Sequence, residues 1–202
     1  MRLIFSSLLM FVSLISCAQQ QQQDYERLPF CEGCEVLLES PQPLDQLNST
    51  DSLPGFEDAL EKLHLSGIVY ERDGNTPASG VIIYLYHTTE KGLYENSEKE
   101  QGMAGRHGRL KGWVRTGTDG RYDIFTMRPA PYPGGDAPAH IHLVVKQPGR
   151  VPYYIDDIVF DDDPLLTALQ RQRLANRGGS GIVRLEGNGS QRSGKRNIYL
   201  LP

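Results

Sequence analysis

The chain has 202 residues, a formal net charge of −4 and a sequence pI near 5.7, and 39% of its residues are hydrophobic. A chain of this length and apolar content can bury one core and is too short for two comfortable domains. The weak negative charge and the lack of any Lys/Arg cluster in the sequence exclude nucleic acid as an expected partner.

The first predicted element is an apolar run at residues 3–15, preceded by the positive charge of Arg2. Its length suits a signal-peptide core and falls short of the roughly 20 residues that a membrane-spanning helix needs. The run ends in the sequence LISC at Cys17, which resembles the lipobox of bacterial lipoproteins. The resemblance implies a signal peptide over residues 1–17, lipidation of Cys17 and an exported protein that touches the membrane through this anchor only. In a Gram-negative host, Ala18 would favour the outer membrane. An ordinary signal peptide with an incidental cysteine is the alternative.

Residues 18–62 are predicted to form a flexible spacer and lead-in, because a Gln-rich tract and two turn-rich stretches offer little to bury. Cys31 and Cys34 lie in this segment as a Cys-x-x-Cys pair. A redox pair and half of a zinc site are both open interpretations, but a zinc site needs a second ligand pair. Export to an oxidising compartment favours a local disulfide between the two cysteines.

From residue 63 onwards, short runs of β-branched and aromatic residues alternate with turn-forming residues. The sequence therefore predicts one all-β domain over residues 63–202, an antiparallel β-sandwich with one short appended helix over residues 164–176. The acidic residues 161–163 before that helix and the arginines towards its end suit the helix dipole. The strands are expected at residues 65–70, 80–87, 110–115, 121–127, 139–147, 151–160, 182–186 and 197–201.

The most informative stretch for chemistry is residues 139–145, where His140 and His142 alternate with apolar residues. Alternate residues of a strand point to the same face, so both imidazoles can reach one metal ion. Two histidines on a solvated strand face are the alternative. Just upstream, prolines on both sides of Tyr132 fix an extended backbone and aim the phenol, although a packing tyrosine in a Pro-rich loop would look the same. A Gly-x-Tyr sequence ending at Tyr94 carries no signal by itself, because the chain has ten tyrosines.

Taken in chain order, these motifs resemble the C-terminal catalytic domain of the intradiol ring-cleavage dioxygenases, a family that includes the protocatechuate 3,4- and catechol 1,2-dioxygenases. The resemblance runs from the Gly-x-Tyr sequence through the TDGRY turn at 118–122 and Pro-Tyr-Pro to Ala-His-Ile-His, and then to FDDDPL at 160–165. It covers residues 63–165. It implies a transthyretin-like (prealbumin-like) sandwich with ferric iron, Fe(3+), as the cofactor.

Carried over by position, the resemblance implies Tyr94, Tyr132, His140 and His142 as the metal ligands. Tyr132 would also be catalytic, as the ligand that leaves the metal and helps to deprotonate the substrate. Two tyrosinates are hard anionic donors that stabilise ferric over ferrous iron. The implied reaction cleaves a catechol-type ring between its hydroxylated carbons with O2, as in aromatic compound catabolism. A small aromatic diol and O2 are therefore the expected partners, and a homo-oligomer is left open.

Two positions depart from the family pattern. The family carries an arginine three residues before the first histidine, where this chain has Ala137. It carries an active-site glutamine where this chain has Asp157. The arginine is thought to stabilise negative charge on the activated ring, which is a role for a fixed cation. Arg128 and Arg150 are the candidates to replace it.

These departures keep two other hypotheses open. One is a non-catalytic extracytoplasmic binding module with a transthyretin-like fold, because fold alone does not decide function. The other is a metal enzyme of different chemistry that uses the same ligands. His87 and His107 are expected at the surface or in loops, outside the ligand set.

Overall fold

The computed structural model describes residues 31, 33–96 and 102–202. The predicted signal peptide, the predicted lipidation site at Cys17 and the Gln-rich tract lie outside the described residues, so export and lipid anchoring stay predictions. Within the part of the chain that is described, no helix has both the length and the apolar character needed to cross a membrane.

The described residues form two six-stranded sheets, two short α-helices and two 3-10 helices. The α-helices are α1 (Gly102–Arg106) and α2 (Ala168–Arg173), and the 3-10 helices span Cys34–Glu39 and Leu44–Gln46. The strands are β1 (Thr50–Ser52), β2 (Lys62–Tyr70), β3 (Ile82–His87), β4 (Lys111–Arg115), β5 (Arg121–Met127), β6 (His140–Lys146), β7 (Tyr153–Tyr154), β8 (Ile158–Phe160), β9 (Ile182–Val183), β10 (Leu185–Glu186), β11 (Gln191–Lys195) and β12 (Ile198–Tyr199).

Both sheets are mixed, which corrects the expectation of a purely antiparallel fold. The first sheet has the order β1-β5-β2-β11-β10, with β12 also paired to β2, and the second has the order β4-β3-β6-β8-β9, with β7 paired to β6. The β1–β5, β2–β11, β2–β12 and β8–β9 pairs are parallel. Each joins strands that are far apart in sequence, and parallel neighbours require such long connections.

The second sheet carries the two candidate histidine ligands on β6, and its strand β3 is buried along its whole length. Because the side chains on both faces of β3 are buried, other parts of the chain must pack against each face. On one face, Tyr84 and Tyr86 pack in a cluster with Val36 and Leu37 from the first 3-10 helix. In contrast, β2 of the first sheet alternates between buried and half-buried residues, as expected for a strand with one covered face.

Part of the predicted spacer therefore belongs to the fold. Val36 and Leu37 are fully buried, and the Leu37 carbonyl accepts the indole N–H of Trp113 at 3.0 Å. Cys31 and Cys34 form a disulfide at the entrance to this 3-10 helix, with their Cα atoms 5.4 Å apart. The sequence conceals this packing because so short an apolar run between turn-forming residues shows no periodicity.

The appended helix is shorter than the predicted residues 164–176. The buried carboxylate of Asp163 accepts the backbone N–H groups of Ala139 and Leu165, each at 2.8 Å. These bonds hold the chain in a turn, and the helix begins only at Ala168. The hydroxyl of its N-cap residue Thr167 accepts the backbone N–H of Gln170 at 3.3 Å. The strand predicted at 151–160 is likewise divided, into β7 and β8.

An ion-pair cluster around Asp162 predicts a loss of stability in acid. Arg128 binds Asp162 through two hydrogen bonds of 2.6 and 3.0 Å, and Arg192 adds a third at 2.8 Å. The hydrogen bonds from Arg128 favour the ionised carboxylate and lower the pKa of Asp162 to about 2. A carboxylate with a depressed pKa stabilises the fold above its unfolded pKa near 3.8, and this stabilisation is lost as the pH falls towards 2.

We therefore expect the thermal unfolding midpoint to fall across this pH window, and Asp162→Asn to make that fall shallower. Asp136→Asn, at an exposed position, is the matched control and should behave as the parent protein does. Unfolding is followed by circular dichroism. Equal acid sensitivity in Asp162→Asn and the parent protein would show that the ion pairs of Asp162 do not cause the loss of stability in acid.

Candidate metal centre

His140 and His142 open strand β6 and share one of its faces, as their spacing predicts. The strand lies between β3 and β8, and His142 is directly opposite Tyr86 of β3. The two rings stack with their centroids 4.5 Å apart. The strand is anchored upstream by the hydrogen bond from Ala139 N–H to Asp163. Both imidazoles are therefore half-buried and carried by a strand that is paired on both sides.

The Tyr132 hydroxyl is the point on which the other predicted ligands converge. It lies 2.8 Å from the Tyr94 hydroxyl, 3.1 Å from Nε2 of His140 and 3.4 Å from Nε2 of His142. Two phenol oxygens and two imidazole nitrogens thus face one another in one small space. The structure brings together all four residues that the sequence resemblance singles out.

Close contacts join the two loops that carry the tyrosines. The Thr89 carbonyl accepts the N–H of Ala130 at 3.1 Å, and the Thr88 hydroxyl donates to the Ala130 carbonyl at 2.7 Å. Gly92 has a φ of +75°, and a Cβ built on it would lie 2.1 Å from the carbonyl oxygen of Pro131. Only glycine tolerates both the backbone conformation and the close approach. This contact fixes the turn that leads into the first tyrosine.

The outer nitrogen of each imidazole has its own acceptor. Nδ1 of His140 donates to the carbonyl of Pro138 at 2.7 Å, and Nδ1 of His142 donates to the carboxylate of Asp157 at 3.1 Å. A ring that gives its Nδ1–H to an acceptor keeps the lone pair of Nε2 free to bind a metal. Both free lone pairs are on the side of Tyr132.

Because Tyr94 is protonated in the metal-free site, only a strongly polarising cation can bind it as a phenolate. Burial, reinforced by the hydrogen bond with Tyr132, raises the pKa of Tyr94 well above its ordinary value. Burial also lowers the pKa of His140. At neutral pH, Tyr94 is therefore a neutral phenol and His140 a neutral imidazole. A metal that binds both must displace the phenol proton, so its affinity rises with pH.

Two further histidines lie near the site without joining the ligand set. Tyr86 is stacked between His142 and His107, and its ring centroid is 3.7 Å from that of His107. Burial lowers the pKa of His107 to about 4, so it packs as a neutral ring. His87 is almost fully buried, which corrects the expectation of a surface or loop position, and its Nε2 accepts the Thr126 hydroxyl at 2.8 Å.

The two departures from the family pattern have different outcomes. Ala137 lies in the loop before β6, and Arg128 does not replace the missing arginine. Its guanidinium is bound to Asp162 and lies over the ring of Phe160. Asp157 is paired with His142 and is not an isolated carboxylate facing the site. The sequence gives no signal for this pair.

The donor set fits a ferric ion. Phenolate oxygen is a hard anionic donor, and imidazole nitrogen suits iron among other transition metals. His140, His142 and Asp157 also form a group of potential metal-binding side chains, with ligand atoms within 4.8 Å of one another, among the described residues. Four protein donors would leave coordination positions for water or a substrate.

Comparison with known proteins places the chain among dioxygenases. A family model described as dioxygenase matches residues 39–176. Catechol 1,2-dioxygenase 1 of Acinetobacter lwoffii is 28% identical over 100 residues, which cover 42% of this chain and 31% of that protein. Chlorocatechol 1,2-dioxygenase of Cupriavidus pinatubonensis is 29% identical over 156 residues, which cover 66% of this chain and 57% of that protein. The chain thus spans 31% to 57% of the length of these curated relatives.

Solved structures show the same fold. The dioxygenase domain of a dioxygenase carbohydrate-binding protein fusion from Streptomyces sp. SirexAA-E matches with a TM-score of 0.56 and 24% identity, covering 79% of this chain and 94% of that one. Wild-type catechol 1,2 dioxygenase of Acinetobacter radioresistens matches with a TM-score of 0.58 and 15% identity, covering 94% of this chain and 68% of that one. At these identities, the likeness establishes the fold.

Proposed function

Because this chain belongs to the intradiol ring-cleavage dioxygenase family, whose model matches residues 39–176 of its 202, we propose that it is a ferric-iron dioxygenase for a small aromatic diol. The proposed reaction inserts both atoms of O2 and opens the ring between its two hydroxylated carbons, giving a muconate-type diacid. The convergence of Tyr94, His140 and His142 on the Tyr132 hydroxyl, at 2.8 to 3.4 Å, is the observation that carries the proposal.

Each of these residues has a separate task in the proposal. Tyr94, Tyr132, His140 and His142 would hold ferric iron. The chemistry that the iron supplies when bound is Lewis-acid activation of the diol towards O2. The histidines are held by β6 and by the acceptors of their Nδ1–H groups, so they would give the metal a fixed position. Tyr94 is half-buried and tied to the glycine turn, which suits a permanent ligand.

Tyr132 is proposed as the base that takes a proton from the diol. It lies in a loop and not in a strand, and its hydroxyl already has three polar neighbours that can share a proton. The phenolate oxygen of Tyr132, lying next to a substrate hydroxyl, would accept its proton over hydrogen-bond distance, which is general-base catalysis. The prolines on both sides keep the phenol aimed at the site while its oxygen exchanges partners.

The first test is an optical spectrum of the purified chain after loading with ferric iron, followed by oxygen uptake with a panel of catechols. We expect a visible tyrosinate-to-iron charge-transfer band, a change of that band on adding a catechol, and uptake of one O2 per diacid formed. Zinc-loaded protein is the control and should show neither the band nor uptake.

The possible outcomes separate the competing hypotheses. A protein that folds normally and shows no band after ferric loading would overturn the iron site and favour a non-catalytic binding module. A band without oxygen uptake from any catechol would overturn ring cleavage and leave a metal protein of different chemistry. The absence of an arginine at position 137 makes this second outcome informative, because a fixed cation near the ring usually stabilises developing charge.

A further inference from the structure

We infer that Asp157 is a positioning residue of the metal centre, which orients His142 from outside the ligand set and adds negative charge that favours ferric over ferrous iron. The inference rests on the proposed function, since it concerns iron held by the four predicted ligands. It assigns a role to the position where the family resemblance predicts a glutamine.

The backbone of β8 and β9 sets the position of the carboxylate. Asp157 directly precedes β8, whose first residue is paired with Ile141, so its side chain emerges beside His142. The Asp157 carbonyl lies against Gly181, where a Cβ would be 2.2 Å from the carbonyl oxygen. Val159 N–H donates to the Gly181 carbonyl at 2.9 Å. The backbone at Asp157 is therefore held against Gly181 before its side chain meets the imidazole.

The two imidazoles of the site differ in their outer partners. His140 gives its Nδ1–H to the neutral carbonyl of Pro138, whereas His142 gives its Nδ1–H to the anionic carboxylate of Asp157. A carboxylate in this position fixes the tautomer and orientation of a metal-binding histidine and makes it a stronger donor. Among the described side chains, His142 is the hydrogen-bond partner of Asp157, and the carboxylate is two-thirds buried. Its charge is thus directed at the site.

The same three residues could in principle form a direct binding site for a divalent metal, with two histidines and one carboxylate. The geometry favours the outer role for Asp157. Its Oδ1 lies 3.1 Å from Nδ1 of His142, whereas Nε2 of the same ring faces Tyr132. The two nitrogens are on opposite sides of an imidazole, so a metal held by Nε2 is not also held by a carboxylate that is hydrogen-bonded to Nδ1.

The test compares Asp157→Asn, Asp157→Ala and the parent chain after ferric loading. We expect Asp157→Ala to bind ferric iron about 10- to 100-fold more weakly, as is usual when an outer partner of a metal-binding histidine is lost. Asp157→Asn keeps an acceptor oxygen and should recover much of this affinity. In both variants, the reduction potential of the bound iron should rise and the charge-transfer band should move to lower energy, because the site has lost an anion. Asp136→Asn, which removes the same charge from an exposed position, should change neither property.

Folding of each variant is checked by circular dichroism, so a structural loss is not read as a change at the metal. An unchanged potential and band energy in folded Asp157→Asn would overturn the electrostatic role. Complete loss of iron from both variants would also overturn the inference, because it would make Asp157 a direct ligand. If the parent chain itself shows no charge-transfer band, the proposed function fails first.

Discussion

Tyr132→Phe is expected to lower the turnover of the diol by about 10²- to 10⁴-fold, the range associated with loss of a positioned acid–base group. The substitution removes the oxygen on which Tyr94, His140 and His142 converge and leaves the ring in place. The same change should weaken the charge-transfer band, because one of two tyrosinate donors is gone. Oxygen uptake and the optical spectrum of the same iron-loaded sample measure both effects.

The matched control is Tyr199→Phe. Tyr199 is 40% exposed and stacks on Tyr70 in the first sheet. Loss of its hydroxyl group should leave both the turnover and the spectrum unchanged. If Tyr132→Phe kept turnover within a few-fold of the parent protein with an intact band, Tyr132 would be neither a ligand nor a base. The proposal for this residue would then fail even if iron binds.

Gly92→Ala is expected to destroy the site by displacing a loop, without changing any ligand. A methyl group here would lie 2.1 Å from the Pro131 carbonyl oxygen, at a φ of +75°. The backbone conformation alone disfavours alanine by about 1–2 kcal/mol, and relief of the steric overlap adds about 1–3 kcal/mol. Either adjustment moves the turn that leads into Tyr94 relative to the loop of Tyr132. We expect reduced stability in urea and loss of most of the charge-transfer band.

The chain offers a close control for backbone strain. Gly134 and Gly149 have φ values of +73° and +71°, and a Cβ built on either would meet nothing within 4 Å. Gly134→Ala and Gly149→Ala should therefore lose only the smaller, conformational part of the stability and keep the iron spectrum. A Gly92→Ala protein that matched these controls in both measurements would show that the close approach to Pro131 does not position Tyr94.

The parts of the site that the sequence predicts well are those that depend on local geometry. His140 and His142 share a face because a strand repeats every two residues, and Tyr132 is aimed because proline restricts its neighbours. The same reasoning locates most of β2 to β6 to within a few residues. Only the family resemblance implies that Tyr94 lies near Tyr132 and the histidines. In the structure, it depends on a contact between Gly92 and Pro131, which no local pattern reveals.

The features that sequence reasoning missed are made by distant or very short segments. The predicted flexible spacer includes Val36 and Leu37, yet in the structure they cover the sheet face on which Tyr86 meets His142. The sequence marks Asp157 only as a departure from the family glutamine, and its pairing with His142 becomes visible only once β8 lies beside β6. In both cases, the missing information is the order of the strands, which composition and periodicity do not contain.

The mixed first sheet has a consequence for how this protein folds. Strand β2 pairs with β5 on one side, and on the other with β11 and β12, as in the hydrogen bond from Ile68 N–H to the Asn197 side chain across 129 positions of sequence. Contacts of such high contact order form only after a large loss of chain entropy, so we expect folding in the range of about milliseconds to seconds rather than microseconds. During synthesis, one edge of β2 stays unpaired until residues 191–199 have left the ribosome, and an open strand edge is a site for aggregation. The nascent chain is therefore most prone to aggregation at β2, whose partners β11 and β12 are synthesised last.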